Sequence, residues 1–449
     1  MLPNSQVTTP NAPAPIQRVA RPLGLAACIA LVMGNMIGSG VFLLPAALAP
    51  YGWNAVAGWA ITISGALALA WVIARLTVRL PDAKGPPAMI AAAFGPVAGF
   101  ALGWSYWVSI ITANTTIAVA VVANMTPIVP LLGQVPALGV GATLAILWAT
   151  TALNLRGAQA AGSLQLVTVI LKLVPMVVVV VLIVVALSSG SAVVAPFPRE
   201  GLTLPAVTAS AALTLWALLG FESASAAADK VADPTRTIPR ATIIGTAATG
   251  AVYLFVCSGI ALMLPMAEAA SASPFAAFVT RYWAPGPANL IALFASISCL
   301  GALNGWTLLQ GEVPLAMARN GELPAWLGKT DARGTPVRAL IVSTVFASLL
   351  LIANSLNGLV AIFTAMALLS TSATLWLYLG CAAAALRFRV AIPAGVLGVA
   401  YALWTLWGAG LSVSGLSLVL MLAGLPLYWW ARRGAKRLPP AQFAEDAAV

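Results

Sequence analysis

The chain reads as long apolar runs separated by short polar segments, and the runs have the length of a membrane crossing. A helix needs about 20 mostly apolar residues to span the hydrocarbon core of a bilayer. Twelve stretches qualify: 23–47, 53–74, 93–124, 136–153, 162–188, 204–229, 241–265, 287–315, 338–354, 357–386, 390–411 and 414–431. The pattern predicts an all-α polytopic membrane protein with 12 transmembrane helices. Residues 1–22, rich in Pro, Ala and Asn, read as a disordered cytoplasmic tail, and 432–449 as a second tail. The first run is too long for a signal peptide and lacks its small-residue cleavage pattern, so it is expected to stay as a span.

Composition agrees: 61% of residues are hydrophobic and 7% charged, against about 25% charged in soluble proteins. The net charge of +11 is a matter of topology. With the N-terminus inside, 19 of the 22 basic residues fall in inner loops or tails, among them Arg75, Arg79, Lys84, Arg156, Lys230, Arg319 and Arg432. Only Arg199 and Arg281 fall outside, and Lys172 lies within a span. Such asymmetry is the positive-inside signature of 12 spans with both termini cytoplasmic. It needs no nucleic acid partner; the lipid bilayer is the macromolecular surroundings.

The chemistry is narrowed by absences. There is no histidine and there are 11 acids in all, which disfavours imidazole metal sites and Ser-His-Asp or Cys-His nucleophile systems. No metal, no cofactor and no enzymatic activity are expected. Cys28, Cys257, Cys299 and Cys381 each sit in an apolar run without a short pairing spacing and read as small core residues.

Two spans carry glycine-rich breaks. The first contains Gly34-Asn35-Met36-Ile37-Gly38-Ser39-Gly40-Val41-Phe42, and the sixth contains Trp216-Ala217-Leu218-Leu219-Gly220-Phe221-Glu222-Ser223. Irregular backbone at membrane depth is tolerated where it lines a cavity or is buried in protein. Breaks in spans one and six are what an inverted five-helix repeat would produce. Free N–H groups at the start of a half-helix attract a carboxylate, and free carbonyls at the end of another attract an ammonium. The alternative is that the glycines serve close helix packing.

With these motifs stand DPTRTIPRATI after span six, SASPF in the next loop, GWTLLQG in span eight and GTPV before span nine. Over about 23–380 the chain resembles the amino acid, polyamine and organocation transporters, and within them the basic amino acid and polyamine antiporters of the arginine/agmatine type. The resemblance implies a leucine-transporter fold: a first inverted repeat over 23–188, a second over 204–386, and two further helices over 390–431. It also implies a bacterial-type inner membrane and a small amino acid or amine as substrate. Members often pair as homodimers, and the composition argues neither for nor against it.

Glu222 is the one acid near the middle of a span, where an ionisable group costs about 2.5–3.5 kcal/mol. It is suited to binding a cation, accepting a proton or coupling a gate; the resemblance implies gating and coupling. Lys172 precedes Pro175, which leaves carbonyls unpaired a turn earlier, and the lysine is expected to satisfy them or to snorkel. In several relatives a lysine at this point stands where sodium-driven members bind sodium. Tyr106, Ile110 and Asn114 recur at intervals of four and share one helical face.

The resemblance assigns Tyr106, Trp216, Trp306 and Trp376 to aromatic gate or platform positions. Trp306 is the expected cation platform. Carried over residue by residue, the substrate carboxylate would meet the N–H groups of Ser39, Gly40 and Val41, and its amino group carbonyls around Met36, Trp216 and Leu219. Ile37 completes that set, and the side chain would extend toward Ser109, Ile110, Asn114 and Trp306. Leu368 stands where the family has a hydroxyl, with Ser370-Thr371-Ser372 as substitutes, and the segment Asp82 to Pro87 departs from the family pattern. The expected function is exchange of an arginine-like amino acid for an agmatine-like amine or another amino acid by alternating access. Proton-coupled carriage of neutral amino acids is the alternative, and a non-transporting sensor a third reading.

Overall fold

A computed structural model of the chain describes residues 23–83, 85–156, 171–226, 231 and 233–435. The tail expected at 1–22, the start of the fifth span at 162–170, the end of the second tail at 436–449, and Lys84 and Lys230 lie outside the described residues. Within them the helices are α1 Leu25–Met36, α2 Ser39–Leu48, α3 Trp53–Arg79, α4 Pro86–Phe94, α5 Pro96–Asn124, α6 Pro136–Asn154, α7 Leu173–Ser188, α8 Leu204–Leu218 and α9 Pro234–Met263. There follow α10 Pro274–Tyr282, α11 Pro285–Arg319, α12 Val337–Ala353, α13 Leu359–Arg387, α14 Ile392–Gly408, α15 Leu411–Leu422 and α16 Leu425–Ala435. No strand occurs among the described residues.

Eight of these helices or continuous pairs are long and apolar enough to cross a membrane, and α1 with α2, bent by 45°, makes a ninth. Three shorter apolar helices, α7, α12 and α14, accompany them. The protein is thus an all-helical integral membrane protein. Proline sets many starts: Pro86, Pro96, Pro136, Pro234, Pro274 and Pro285 each open a helix, where the missing N–H has no partner to lose.

The expected third span, 93–124, is divided. Gly95, at φ +92°, separates α4 from α5. The segment around Asp82 to Pro87 becomes a turn at Gly85, φ +84°, that launches α4 from Pro86 and Pro87. The last span is likewise interrupted between α15 and α16. Helix α5 is the central pillar, 89% buried over its apolar window against 28% for Leu411–Arg433. It packs on α13 and α11, while α3 packs on α8 and α9.

Both breaks form. Between α1 and α2, Ile37 and Gly38 leave the helical conformation. After α8, Leu219 is extended and Gly220 takes φ +104°, a backbone state that favours glycine. The two breaks touch: the Asn35 amide donates to Ser223 Oγ at 2.7 Å. Their neighbourhood also explains Gly40. A Cβ there would come within 2.8 Å of Ala217 Cα and Cβ, so this glycine lets α2 and α8 approach backbone to backbone. Crowding at position 40 therefore falls on helix packing before it falls on a bound molecule.

Gly40→Ala is expected to lower thermal stability in detergent by about 1–3 kcal/mol, the usual penalty of overpacking. Gly141→Ala, whose added Cβ meets nothing within 4 Å, is expected to hold or raise it. A melting curve of Gly40→Ala equal to that of the unsubstituted protein would contradict the packing role.

Candidate functional site

The breaks border two cavities. A small one of about 20 Å³ is lined by Asn35, Met36, Gly38, Ser39, Gly40, Ile117, Trp216, Ala217, Leu219 and Trp306. It has room for about one water molecule. A large one of about 700 Å³ reaches from Asn35, Gly220, Glu222, Ser223 and Trp306 to the loops at Gly85 and at Asn320 and Glu322. Asn35 and Trp306 line both cavities, so they form the neck between them. Helix α4 contributes Pro86, Pro87, Ala88 and Ala91 to the large cavity, which gives the Asp82 to Pro87 departure a structural role.

The carbonyls freed at the first break are taken by side chains from other helices. The Lys172 ammonium donates to Gly34 O at 2.5 Å and Ile37 O at 3.1 Å. The Tyr253 hydroxyl donates to Met36 O at 2.9 Å. Lys172 is 5% exposed, so it does not snorkel. The carbonyls it satisfies also belong to span one and not to its own helix, correcting the expectation drawn from Pro175. The lysine acts as a fixed cation against the open backbone, where its charge meets carbonyl dipoles.

The N–H side is arranged differently. Ser39, Gly40 and Val41 form the first turn of α2, whose amides have no partners within the helix. Ser39 and Gly40 line the small cavity, and Ser39 Oγ is buried without a hydrogen-bond partner. Val41 is fully buried and does not line either cavity. Its carbonyl, which Pro45 cannot bond, lies 3.9 Å from the Cys257 thiol. On the sixth span Trp216 and Leu219 face the small cavity, and the Trp216 indole N–H is buried and unpartnered.

Glu222 is 5% exposed and borders the large cavity. Its Oε1 accepts from the Tyr106 hydroxyl at 3.1 Å and its Oε2 from the Tyr378 hydroxyl at 2.8 Å. Two phenols from α5 and α13 thus hold a carboxylate that α8 delivers past its break. Tyr378 was not singled out in the sequence. The available signal was a tyrosine two residues beyond Trp376, in a chain where a buried carboxylate demands donors. Trp376 itself turns away: its indole donates to Ser417 Oγ in α15 at 3.0 Å, and it lines neither cavity.

The face Tyr106, Ile110, Asn114 splits along its length. Tyr106 lines the large cavity, whereas Ser109, Ile110 and Asn114 are buried behind the walls. Ser109 donates to Tyr106 O and receives Ser370 Oγ on its own carbonyl at 2.8 Å. Asn114 donates to Gln310 Oε1 at 2.6 Å, and Gln310 is a second residue that sequence reasoning passed over. Thr371 and Ser372 hydroxyls are buried without partners and line neither cavity.

Trp306 therefore stands where its ring closes the neck, with Glu222 on the large-cavity side. Among the described residues, the charged side chains lining that cavity are Glu222 and Glu322, with no lysine or arginine. Where these carboxyls are ionised they attract cations. Among the described residues, no three His, Cys, Asp or Glu side chains converge as metal ligands.

Comparison with known proteins gives the family. The chain is 33% identical to the cadaverine/lysine antiporter of Escherichia coli (strain K12) over 334 residues, 74% of this chain and 75% of that protein. It is 28% identical to the putrescine transporter PotE of Haemophilus influenzae over 418 residues, 90% of this chain and 96% of the relative. The putrescine transporter PotE of E. coli matches at 30% over 346 residues, 76% and 79% of the two chains. The amino acid permease family profile matches residues 23–437, and the chain belongs to that family, within the superfamily of amino acid, polyamine and organocation transporters.

Proposed function

We propose that the protein is a secondary antiporter that exchanges a cationic amino acid for its decarboxylated amine, or for another amino acid, by alternating access. The observation that carries this reading is Glu222, a buried carboxyl group on the wall of a 700 Å³ cavity whose described lining holds no basic residue. The named substrates of the relatives, cadaverine, lysine and putrescine, are all cations, which supports the same class. Arginine with agmatine and lysine with cadaverine are the candidate pairs.

On this reading the eight clear spans, the bent pair α1 and α2, and the three shorter apolar helices make up 12 crossings. The repeats run over 23–188 and 204–386, with 390–431 added, in a bacterial inner membrane with both termini cytoplasmic. The charge count then puts the loops at Gly85 and Glu322 inside, so the large cavity is the cytoplasmic vestibule. A cation entering it meets Glu222, steadied by Tyr106 and Tyr378, with the Trp306 ring as the wall ahead. The α-carboxylate of an amino acid pairs with the amides of Ser39, Gly40 and Val41 once the small cavity opens. A decarboxylated amine forgoes only those contacts, so both substrates fit one site.

The Lys172 contacts favour a second reading. Loss of its proton would weaken two bonds that hold the first break, a route to proton-coupled uptake of neutral amino acids.

Labelled lysine and arginine uptake into proteoliposomes distinguishes the two. Uptake that requires internal lysine, arginine, cadaverine or agmatine is the expected result. Uptake of leucine into empty vesicles driven by a pH gradient, lost in Lys172→Ala, would replace the exchanger with the permease. Glu222→Gln is expected to cut cation exchange by at least about tenfold, roughly 1.4 kcal/mol of interaction, in protein that elutes and melts normally. Trp306→Leu is expected to weaken lysine and arginine relative to leucine by about 2- to 30-fold, the range for a cation over an indole. Equal losses for cationic and neutral substrates would remove Trp306 as a cation platform.

A further inference from the structure

Gln310 lies one helical turn past Trp306 in α11, and Asn114 one turn before Ile117 in α5; Trp306 and Ile117 both line the small cavity. The Asn114–Gln310 pair therefore sits directly behind that cavity's wall on two helices at once. Its hydrogen bonds have a direction. Thr344 Oγ1 has one proton and two acceptors within reach, Leu340 O at 2.9 Å and Thr151 Oγ1 at 2.8 Å. Gln310 presents its Nε2 to this oxygen and donates to it at 2.9 Å, which leaves the Thr344 proton for one of those two acceptors. The Gln310 Oε1 then faces Asn114 and takes its Nδ2 proton at 2.6 Å. The remaining Asn114 Oδ1 is buried and has no hydrogen-bond partner.

The backbone of Gln310 is anchored as firmly as its amide. Pro314, four residues on, has no N–H to give the Gln310 carbonyl. That carbonyl instead receives Trp107 Nε1 at 3.2 Å and Ser343 Oγ at 3.0 Å. Backbone and side chain are thus both held from α5 and α12, so Gln310 does not turn when Asn114 is pulled.

We infer that Gln310 is a positioning residue that locks the Asn114 amide with its oxygen as the free group, so that the site, once opened to substrate, offers an acceptor and selects substrates whose side chain ends in a hydrogen-bond donor. An ammonium or guanidinium satisfies Oδ1. A carboxylate or carbonyl terminus would leave it unpaired and add repulsion, and an alkyl terminus would leave it unpaired alone. The inference rests on the proposed cation exchange, with Asn114 as the side-chain contact that the family resemblance implies; what it adds is Gln310 as the residue that sets how that amide is presented.

The test uses counterflow in proteoliposomes with lysine and norleucine, which share a chain length and differ in the terminal ammonium. Gln310→Leu frees the Asn114 amide to rotate. The lysine KM is expected to rise by about tenfold or more, the loss expected for one hydrogen bond to a charged group, with norleucine KM and saturated turnover moving far less. Thr344→Val, which frees Gln310 to flip while keeping its shape, is expected to shift lysine in the same direction. Adding Asn114→Asp to Gln310→Leu, which presents an acceptor in either rotamer, is expected to restore lysine preference. Unchanged lysine selectivity in folded Gln310→Leu overturns the inference, as does an equal loss for both substrates or failure of the double variant to regain preference. Unsubstituted protein that prefers norleucine would overturn the exchange reading itself, a result separable from failure of Gln310 alone.

Discussion

In hydrocarbon an unpaired peptide group costs several kcal/mol, and no water is present to relieve it. Much of the interior can be read as the answer to that constraint. Where α1 stops, Lys172 and Tyr253 reach in to take the carbonyls of Gly34, Ile37 and Met36. Where Pro45 and Pro314 withhold an amide, Cys257 faces Val41 O, and Trp107 with Ser343 covers Gln310 O. Where α15 gives way to α16, the Trp104 indole donates to Leu420 O at 2.9 Å. Each of these irregularities has a donor from another element, so the first break is held from outside itself.

This dependence links stability to function. The first break is kept open by a lysine just before α7 and a tyrosine on α9, and tied to the second by Asn35 and Ser223. Any rearrangement that admits substrate to the 20 Å³ cavity has to move groups already hydrogen-bonded. On the exchange reading, ligand contacts supply that free energy difference between states, as a population shift requires. The two buried charges at the breaks have separate partners: Lys172 is bonded to carbonyls, and Glu222 to two phenols.

Much of the architecture was legible from hydropathy, because a 20-residue apolar run in so weakly charged a chain has few alternatives to a span. Edges failed where a glycine with positive φ cut a continuous apolar run, as at Gly95. Both breaks were legible because three glycines, or a glycine beside a glutamate, have no ordinary place in mid-membrane. The site was legible by halves. Met36, Ser39, Gly40, Trp216, Leu219 and Trp306 gather around the small cavity, and Tyr106 reaches Glu222. Trp376 was named because the family resemblance assigns an aromatic there, whereas the need of Glu222 for a second donor, met by Tyr378, leaves no mark in the sequence. Gln310 was hidden inside a motif read for its tryptophan.

By itself the sequence determined that the chain crosses a membrane many times, that its first and sixth spans are interrupted, and that one carboxylate and one lysine lie within them. These follow from local properties: apolar length, glycine density and the cost of a buried charge. Tertiary structure alone decided which groups meet. Lys172 bonds a carbonyl 138 residues away, and Asn114 a glutamine 196 residues away. A helix turns about 100° per residue, so local pattern can say that side chains share a face but not which neighbour that face will find. That choice belongs to helix packing, where a missing Cβ at Gly40 or a missing amide at Pro314 selects the partner.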